Sequence, residues 1–165
     1  MAQLFTLNKL LASTVLVLAR LCLTGLGLVV VYGVVLRYAF NDAPPYVEQI
    51  ALLLVISVAM FGAASGVYDS GHIGLDSVVK LLPPLGQRAC LHLVDVLTMV
   101  FAVVLCWGSS RMALSTWHDT IPTLGLSEAM RYLPPIIAGV LILLFSFEHL
   151  MRRLSTPVAP EASWN

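Results

Sequence analysis

Four long apolar runs, separated by short polar stretches, dominate the pattern along the chain. A hydrocarbon core about 30 Å thick requires about 20 mostly apolar residues from each helix that crosses it. A segment in lipid must satisfy its own backbone hydrogen bonds, so each run is predicted to be an α-helix. The runs cover about residues 14–36, 47–67, 89–110 and 132–151. The pattern predicts an all-α integral membrane protein, with four transmembrane helices in a single membrane domain over residues 1–165.

A fifth, shorter segment between the second and third runs has a different pattern. Its apolar positions recur close to the i, i+3, i+4, i+7 spacing of one helix face. Asp76 and Lys80 are an i, i+4 pair on the opposite face. The segment is too short to cross a bilayer. We therefore predict a short amphipathic interfacial helix over about residues 74–83 that lies in the headgroup plane.

The composition agrees with a membrane protein. Only 11% of the residues are charged and 59% are hydrophobic, whereas soluble domains have about 25% charged residues. The formal net charge is +0, so no nucleic-acid partner is expected. Cys22, Cys90 and Cys106 have no metal-binding spacing and are interpreted as small apolar residues. No small-residue cleavage site follows the first run, so this run is expected to be retained as a span.

Basic residues predict the orientation of the spans. The N-terminus, the middle connection and the C-terminal tail contain more of them than the two other connections. The first group is Lys9, Lys80, Arg88, Arg152 and Arg153, and the second is Arg37, Arg111 and Arg131. Basic residues are enriched in cytoplasmic loops, so both termini are predicted to lie in the cytoplasm.

The ionisable residues of the runs lie near their ends. Glu48 opens the second run, and Asp95 and Glu148 lie near the inner ends of the third and fourth. Ion-coupled carriers usually have an ionisable residue or a broken helix near the membrane midplane. The chain is therefore predicted to lack a complete transport pathway of its own. No catalytic, metal-binding or cofactor-binding constellation is recognised, so no cofactor is expected.

Two features suggest contacts at helix ends and between helices. Arg37, Tyr38 and Phe40 close the first span, where Arg37 either pairs with Glu48 across the turn or extends to the headgroups. In the second span Gly62 and Gly66 have the spacing of close helix contacts. Packing inside the chain is the favoured interpretation of these glycines, and a contact with another protein is the alternative.

Taken together, these motifs resemble the small membrane subunit, or Q subunit, of TRAP (tripartite ATP-independent periplasmic) transporters. The matching features are the RY-x-F stretch at the end of span one, Glu48, and the small residues that end near Gly66. A GHI-x-x-D motif follows, made of Gly71, His72, Ile73 and Asp76, and IPTLGLSEAMRYLPPI precedes the fourth span. The resemblance extends over about residues 15–153.

The resemblance implies a division of labour among three proteins in the bacterial inner membrane and periplasm. A large multi-span (M) subunit would carry the substrate and the coupling sodium ion, and a periplasmic substrate-binding (P) protein would deliver organic acids. The small subunit would be a non-enzymatic scaffold, in contact with membrane lipids, that braces the M subunit and helps to dock the P protein.

Two other functions remain open on the sequence alone. A stand-alone four-span carrier would require a membrane-embedded glutamate in span one, and none lies between Arg20 and Arg37. A haem or redox anchor would require paired histidines inside the bundle. The four histidines lie near span ends or in a connection: His72, His92, His118 and His149.

The GHI-x-x-D motif gives a first testable prediction. Replacing His72 or Asp76 with alanine is expected to reduce complex assembly or uptake without changing which substrate is chosen, because a scaffold does not contact the substrate. Uptake measured with competing substrates checks this prediction. A changed order of substrate preference would contradict the scaffold interpretation.

Overall fold

Four long helices make up most of the computed structural model, which describes residues 2–69, 84–123 and 125–155. They are α1 (Ala2–Ala39), α2 (Pro45–Tyr68), α3 (Pro84–Ser115) and α4 (Leu133–Ser155), and a 3-10 helix (Glu128–Tyr132) precedes α4. The GHI-x-x-D motif residues Gly71, His72, Ile73 and Asp76 and the predicted interfacial helix lie outside the described residues.

Four segments are long and apolar enough to cross a membrane, one in each of α1, α2 and α3 and one formed by the 3-10 helix together with α4. These segments are Asn8–Ala39, Pro45–Tyr68, Ala89–Ser115 and Glu128–Met151. The prediction of an all-α protein with four transmembrane helices is thus confirmed. Two helices extend beyond their apolar runs, since α1 begins at Ala2 and α3 continues to Ser115. Hydropathy marks where lipid ends, whereas a helix continues through polar residues that have adequate helix propensity.

Local backbone chemistry ends α1 and starts α2. The backbone N–H groups of Phe40 and Asp42 both donate to the carbonyl of Leu36, at 3.1 and 3.2 Å. Asn41 adopts a left-handed conformation with φ 51°, which asparagine tolerates better than most residues. Pro44 is extended, with φ −69° and ψ 127°, because the proline that follows it disfavours helical geometry. Pro45 then begins α2, where its missing N–H has no intrahelical partner to lose.

The helices form an open layer rather than a closed four-helix bundle. α1 packs along α2, α2 packs along α4, and α4 packs along α3, which gives the spatial order α1–α2–α4–α3. Among the described residues, α1 touches α4 only narrowly, and α3 forms no comparable interface with α1 or α2. An open layer leaves both of its faces uncovered over most of its area.

The layer has two distinct ends. The connection 40–44 and the described parts of the next one, 116–123 and 125–127, lie at one of them, which we call the loop end. The start of α1 and the end of α4 lie at the other, the terminal end, where the side chains of Asn8 and Glu148 meet.

The buried core is small and centres on α4. Phe145 is fully buried, and its ring meets that of Tyr68 edge-on, with 5.1 Å between the ring centroids. Small residues of the neighbouring helices surround this part of α4, among them Ala12, Ala64 and Ala102. Packing of small residues is the main source of helix association where lipid removes the hydrophobic driving force.

Gly139 sets the distance between α3 and α4. A Cβ at this position would lie 2.5 Å from the Cys106 Sγ atom and 3.3 Å from the Ala102 carbonyl oxygen. Gly139→Ala is therefore expected to destabilise the protein by about 1–3 kcal/mol, the usual cost of overpacking a core. Thermal unfolding in detergent measures this loss.

Two variants control the Gly139 prediction. Gly108→Ala is expected to be nearly neutral, since nothing described lies within 4 Å of a Cβ there. Cys106→Ala should restore part of the stability lost in Gly139→Ala, because it removes the sulfur that the new methyl group meets. Equal effects of Gly139→Ala and Gly108→Ala would contradict the assigned contact.

Candidate functional surfaces of the helix layer

Exposed aromatic and charged side chains cover the loop end. Tyr38 and Phe40 are 82% and 70% exposed, and Arg37 in the last turn of α1 is exposed as well. Just after the end of α3, three consecutive side chains are exposed: Trp117, His118 and Asp119. We call these six residues the loop-end surface. Aromatic and charged side chains of this kind suit contact with headgroups or with a second protein.

Arg131 joins the connection before α4 to the start of α2. Its Nη1 atom lies 3.3 Å from Glu128 Oε1, and its Nη2 atom donates to the side-chain carbonyl of Gln49.

The structure has no ion pair between Arg37 and Glu48, both of which are exposed. The interpretation of Arg37 and Glu48 as an ion pair is thus wrong.

Hydrogen bonds give the connection between α3 and the 3-10 helix a defined shape. The Ser127 hydroxyl donates to the Trp117 carbonyl at 2.9 Å and accepts from the Ala129 backbone N–H at 3.3 Å. The Glu128 N–H donates to the Asp119 carbonyl at 2.9 Å. Gly125 provides the left-handed turn residue, with φ +64°. These bonds present Trp117 and Asp119 in a fixed arrangement.

A polar cluster ties helices together at the terminal end. The Asn8 amide donates to Glu148 Oε2 at 2.5 Å, and Asn8 is only 6% exposed. A ring nitrogen of His149 lies 3.2 Å from the Tyr68 carbonyl. These contacts connect α1 with α4 and α2 with α4. Asp95 of α3 is buried as well, at 4% exposure.

The small residues of α2 face outward. Ala59, Gly62, Ala63 and Gly66 are exposed, and no described atom lies within 4 Å of a Cβ built on either glycine. We call these four residues the small-residue stripe. The favoured interpretation, that Gly62 and Gly66 pack inside the chain, is therefore wrong for the described residues. The glycines that do meet a neighbouring helix closely include Gly33, against Val47, and Gly139.

α4 has an exposed apolar stripe of its own, although it is the most buried helix. Its members recur every three or four residues and are each 40–51% exposed: Leu133, Ile137, Val140, Leu144, Phe147 and Met151. Within the described part of the chain, no three His, Cys, Asp or Glu side chains are placed to hold a metal ion. An exposed apolar stripe of this kind suits contact with lipid or with another helix.

Sequence reasoning located the loop-end residues but missed several of their contacts. It selected Arg37, Tyr38, Phe40 and Glu48, which the structure places at one end as exposed side chains. It did not single out Gln49, and it used Arg131 only as a topology signal. The only signal for their contact was that both residues adjoin predicted span ends.

Comparison with known proteins gives the family. Residues 26–156 match the profile of the family described as "Tripartite ATP-independent periplasmic transporters, DctQ component". Two Haemophilus influenzae proteins described as TRAP transporter small permease proteins are similar to the chain. One is 30% identical over 125 residues, which cover 74% of this chain and 78% of the relative. The other is 23% identical over 111 residues, 67% of each chain.

The profile covers most of the chain, from the last third of α1 to the end of α4. The first relative independently reaches 30% identity over more than two thirds of both proteins. Members of this family are a component of transporters, which is not a class of enzyme. This multi-pass membrane protein belongs to the DctQ family, the small permease component of the TRAP transporters.

Proposed function

We propose that this chain is a scaffold that braces the large M subunit of a TRAP transporter and helps to dock the periplasmic P protein. The open layer of helices is the observation that carries this proposal. A layer one helix thick, with helices exposed on both faces, gives little enclosed volume for a substrate path but a large area for a partner. Catalysis and cofactor binding have no role in it.

The small-residue stripe supports the bracing role. Small residues let a second helix approach closely in lipid, where van der Waals packing drives association. Inside the chain this opportunity is unused on the stripe, because no described atom approaches Gly62 or Gly66. A helix of the M subunit is the proposed occupant.

The proposed orientation places the protein in the bacterial inner membrane with both termini in the cytoplasm. Five basic residues lie in the termini and the middle connection, against three at the loop end. The loop end then faces the periplasm. In this orientation the loop-end surface, held in shape by Ser127 and Arg131, is available to the P protein.

Transport itself is assigned to the M subunit, with sodium-coupled uptake of organic acids as the overall reaction. The described spans support this division, since their acids lie away from the membrane midplane. Asp95 and Glu148 are placed toward the terminal end, and Glu48 is in the first turn of α2. Ion coupling usually requires ionisable groups or broken helices near the midplane.

Co-purification tests the proposal. The tagged chain is expressed with a TRAP transporter M subunit and extracted in mild detergent. A large multi-span protein that elutes with it in fixed stoichiometry is the expected result. A chain that elutes alone, folded and monodisperse, would contradict the scaffold function and favour a self-sufficient small carrier.

A further inference from the structure

A shallow, open groove runs along α3 beside the contact of Cys106 with α4. It has a volume of about 650 Å³ and is lined by residues at helical spacing: Val103, Cys106, Trp107, Ser110, Arg111 and Leu114. Cys106 and Ser110 are small and half-buried, whereas Trp107 and Leu114 are 69% and 75% exposed. Small side chains between large ones produce a channel along the helix. We call it the α3 groove.

The charge of the α3 groove is confined to one place. Arg111 is the only ionisable lining residue besides the Cys106 thiol, and its side chain is exposed. Among the described residues Arg111 forms no ion pair, since the ion pair found there joins Arg131 and Glu128. A lone cation beside an apolar channel is complementary to an amphiphile that has an anionic head and an apolar tail.

The dimensions match one acyl chain of a phospholipid. The membrane-crossing segment ends at Ser115, four residues after Arg111. At 1.5 Å per residue, Arg111 therefore lies about 6 Å along the helix axis from that end. This is the depth of the headgroup region. From Arg111 to Val103 the groove extends about 12 Å toward the midplane, close to the roughly 15 Å of hydrocarbon in one leaflet.

We infer that the α3 groove binds an anionic phospholipid, with the headgroup phosphate on Arg111 and one acyl chain along Trp107 and Val103. The Trp107 indole adds an apolar wall and one N–H donor. This site is distinct from the small-residue stripe, which lies on α2. The inference requires only that the chain spans a membrane, so it holds or fails independently of the scaffold proposal.

Fluorescence quenching by brominated lipids tests this inference on the full chain. The chain has three tryptophans, at positions 107, 117 and 164, so Trp117→Phe with Trp164→Phe leaves Trp107 as the sole emitter. This parent is reconstituted with phosphatidylglycerol or phosphatidylcholine brominated in the acyl chains, at equal mole fractions. Phosphatidylglycerol is expected to bind beside Trp107 about fivefold more strongly than phosphatidylcholine, because one cation near the membrane surface attracts an anionic headgroup by about 1 kcal/mol.

Two arginine variants separate a bound lipid from general attraction. Arg111→Gln is expected to abolish the preference for phosphatidylglycerol. Arg37→Gln removes a different exposed arginine at the same end and should leave the preference unchanged. Equal quenching by both lipids in the parent, or a preference that survives Arg111→Gln, would overturn the inference.

Two further measurements complete the test. Native mass spectrometry of the unaltered chain should detect retained phosphatidylglycerol that is lost in Arg111→Gln, which guards against a parent that fails to fold. Quenching is then repeated in the complex with an M subunit whose tryptophans are replaced by phenylalanine, so that Trp107 stays the sole emitter. If neither lipid quenches Trp107 there, a partner helix occupies the groove and the lipid assignment is overturned.

Discussion

Replacing Gly62 and Gly66 together with leucine is expected to reduce co-purification with the M subunit by at least about tenfold. Each leucine adds a side chain where a partner backbone is proposed to approach closely, and overpacking costs about 1–3 kcal/mol per site. Two such costs together lower the affinity for the M subunit by at least about tenfold, because about 1.4 kcal/mol of binding free energy corresponds to a tenfold change in the dissociation constant. The yield of M subunit per tagged chain, measured in mild detergent, gives the ratio.

Folding of the double variant should be unaffected, and this distinguishes a lost contact from a damaged protein. No described atom lies within 4 Å of a Cβ at either glycine, so the described part of the chain leaves room for a side chain at both positions. Gly27→Leu is the matched control, because Gly27 is an exposed glycine of α1 with equally open surroundings. Retention of the M subunit in the double variant, or equal loss in Gly27→Leu, would refute a specific contact at the small-residue stripe.

Loss of the Arg131 contacts is expected to weaken docking of the P protein. In Arg131→Met the connection before α4 loses its bonds to Gln49 and Glu128, so the loop-end surface is no longer held in one arrangement. Hydrogen bonds to charged groups are worth about 1.5–3 kcal/mol. The concentration of P protein that gives half-maximal uptake into proteoliposomes should therefore rise about tenfold or more.

A double-mutant cycle tests whether the Arg131 effect comes from this contact. Gln49→Leu should weaken docking in the same direction, and the two changes together should cost less than their sum, because they remove one shared interaction. Arg111→Gln removes an exposed positive charge near the same end, outside the loop-end surface and without a described ion pair, and serves as the control for net charge. Additive effects of the Arg131 and Gln49 changes would show that the two residues act independently, and an equal effect of Arg111→Gln would show that charge alone matters.

The sequence was sufficient to predict the spans but not their arrangement. Apolar length determines that four helices cross, and proline pairs such as Pro44-Pro45 mark their ends. In a soluble bundle the apolar stripe of each helix would also indicate its neighbours. Here α2 is apolar nearly all round, since lipid and protein contacts both favour apolar residues, so the order α1–α2–α4–α3 could not be derived.

The same ambiguity explains the errors at individual residues. Small residues at i, i+4 spacing permit close approach by any helix, whether inside the chain or from a partner. The pattern selects Gly62, which is exposed, and passes over Gly139, which meets Cys106 although no small residue lies four positions from it. At the loop end Arg37 and Glu48 flank the same turn, but Arg131 reaches Gln49 from a residue 82 positions away. Contacts of that range depend on tertiary structure.

The central position of α4 has a consequence for biogenesis. Transmembrane helices leave the ribosome in chain order, and α1 and α2 can associate as soon as both have been inserted, because they pack along each other. α3 forms no comparable interface with either of them among the described residues. It has no described interface with the α1–α2 pair until α4, the last of these four helices to be synthesised, joins the two.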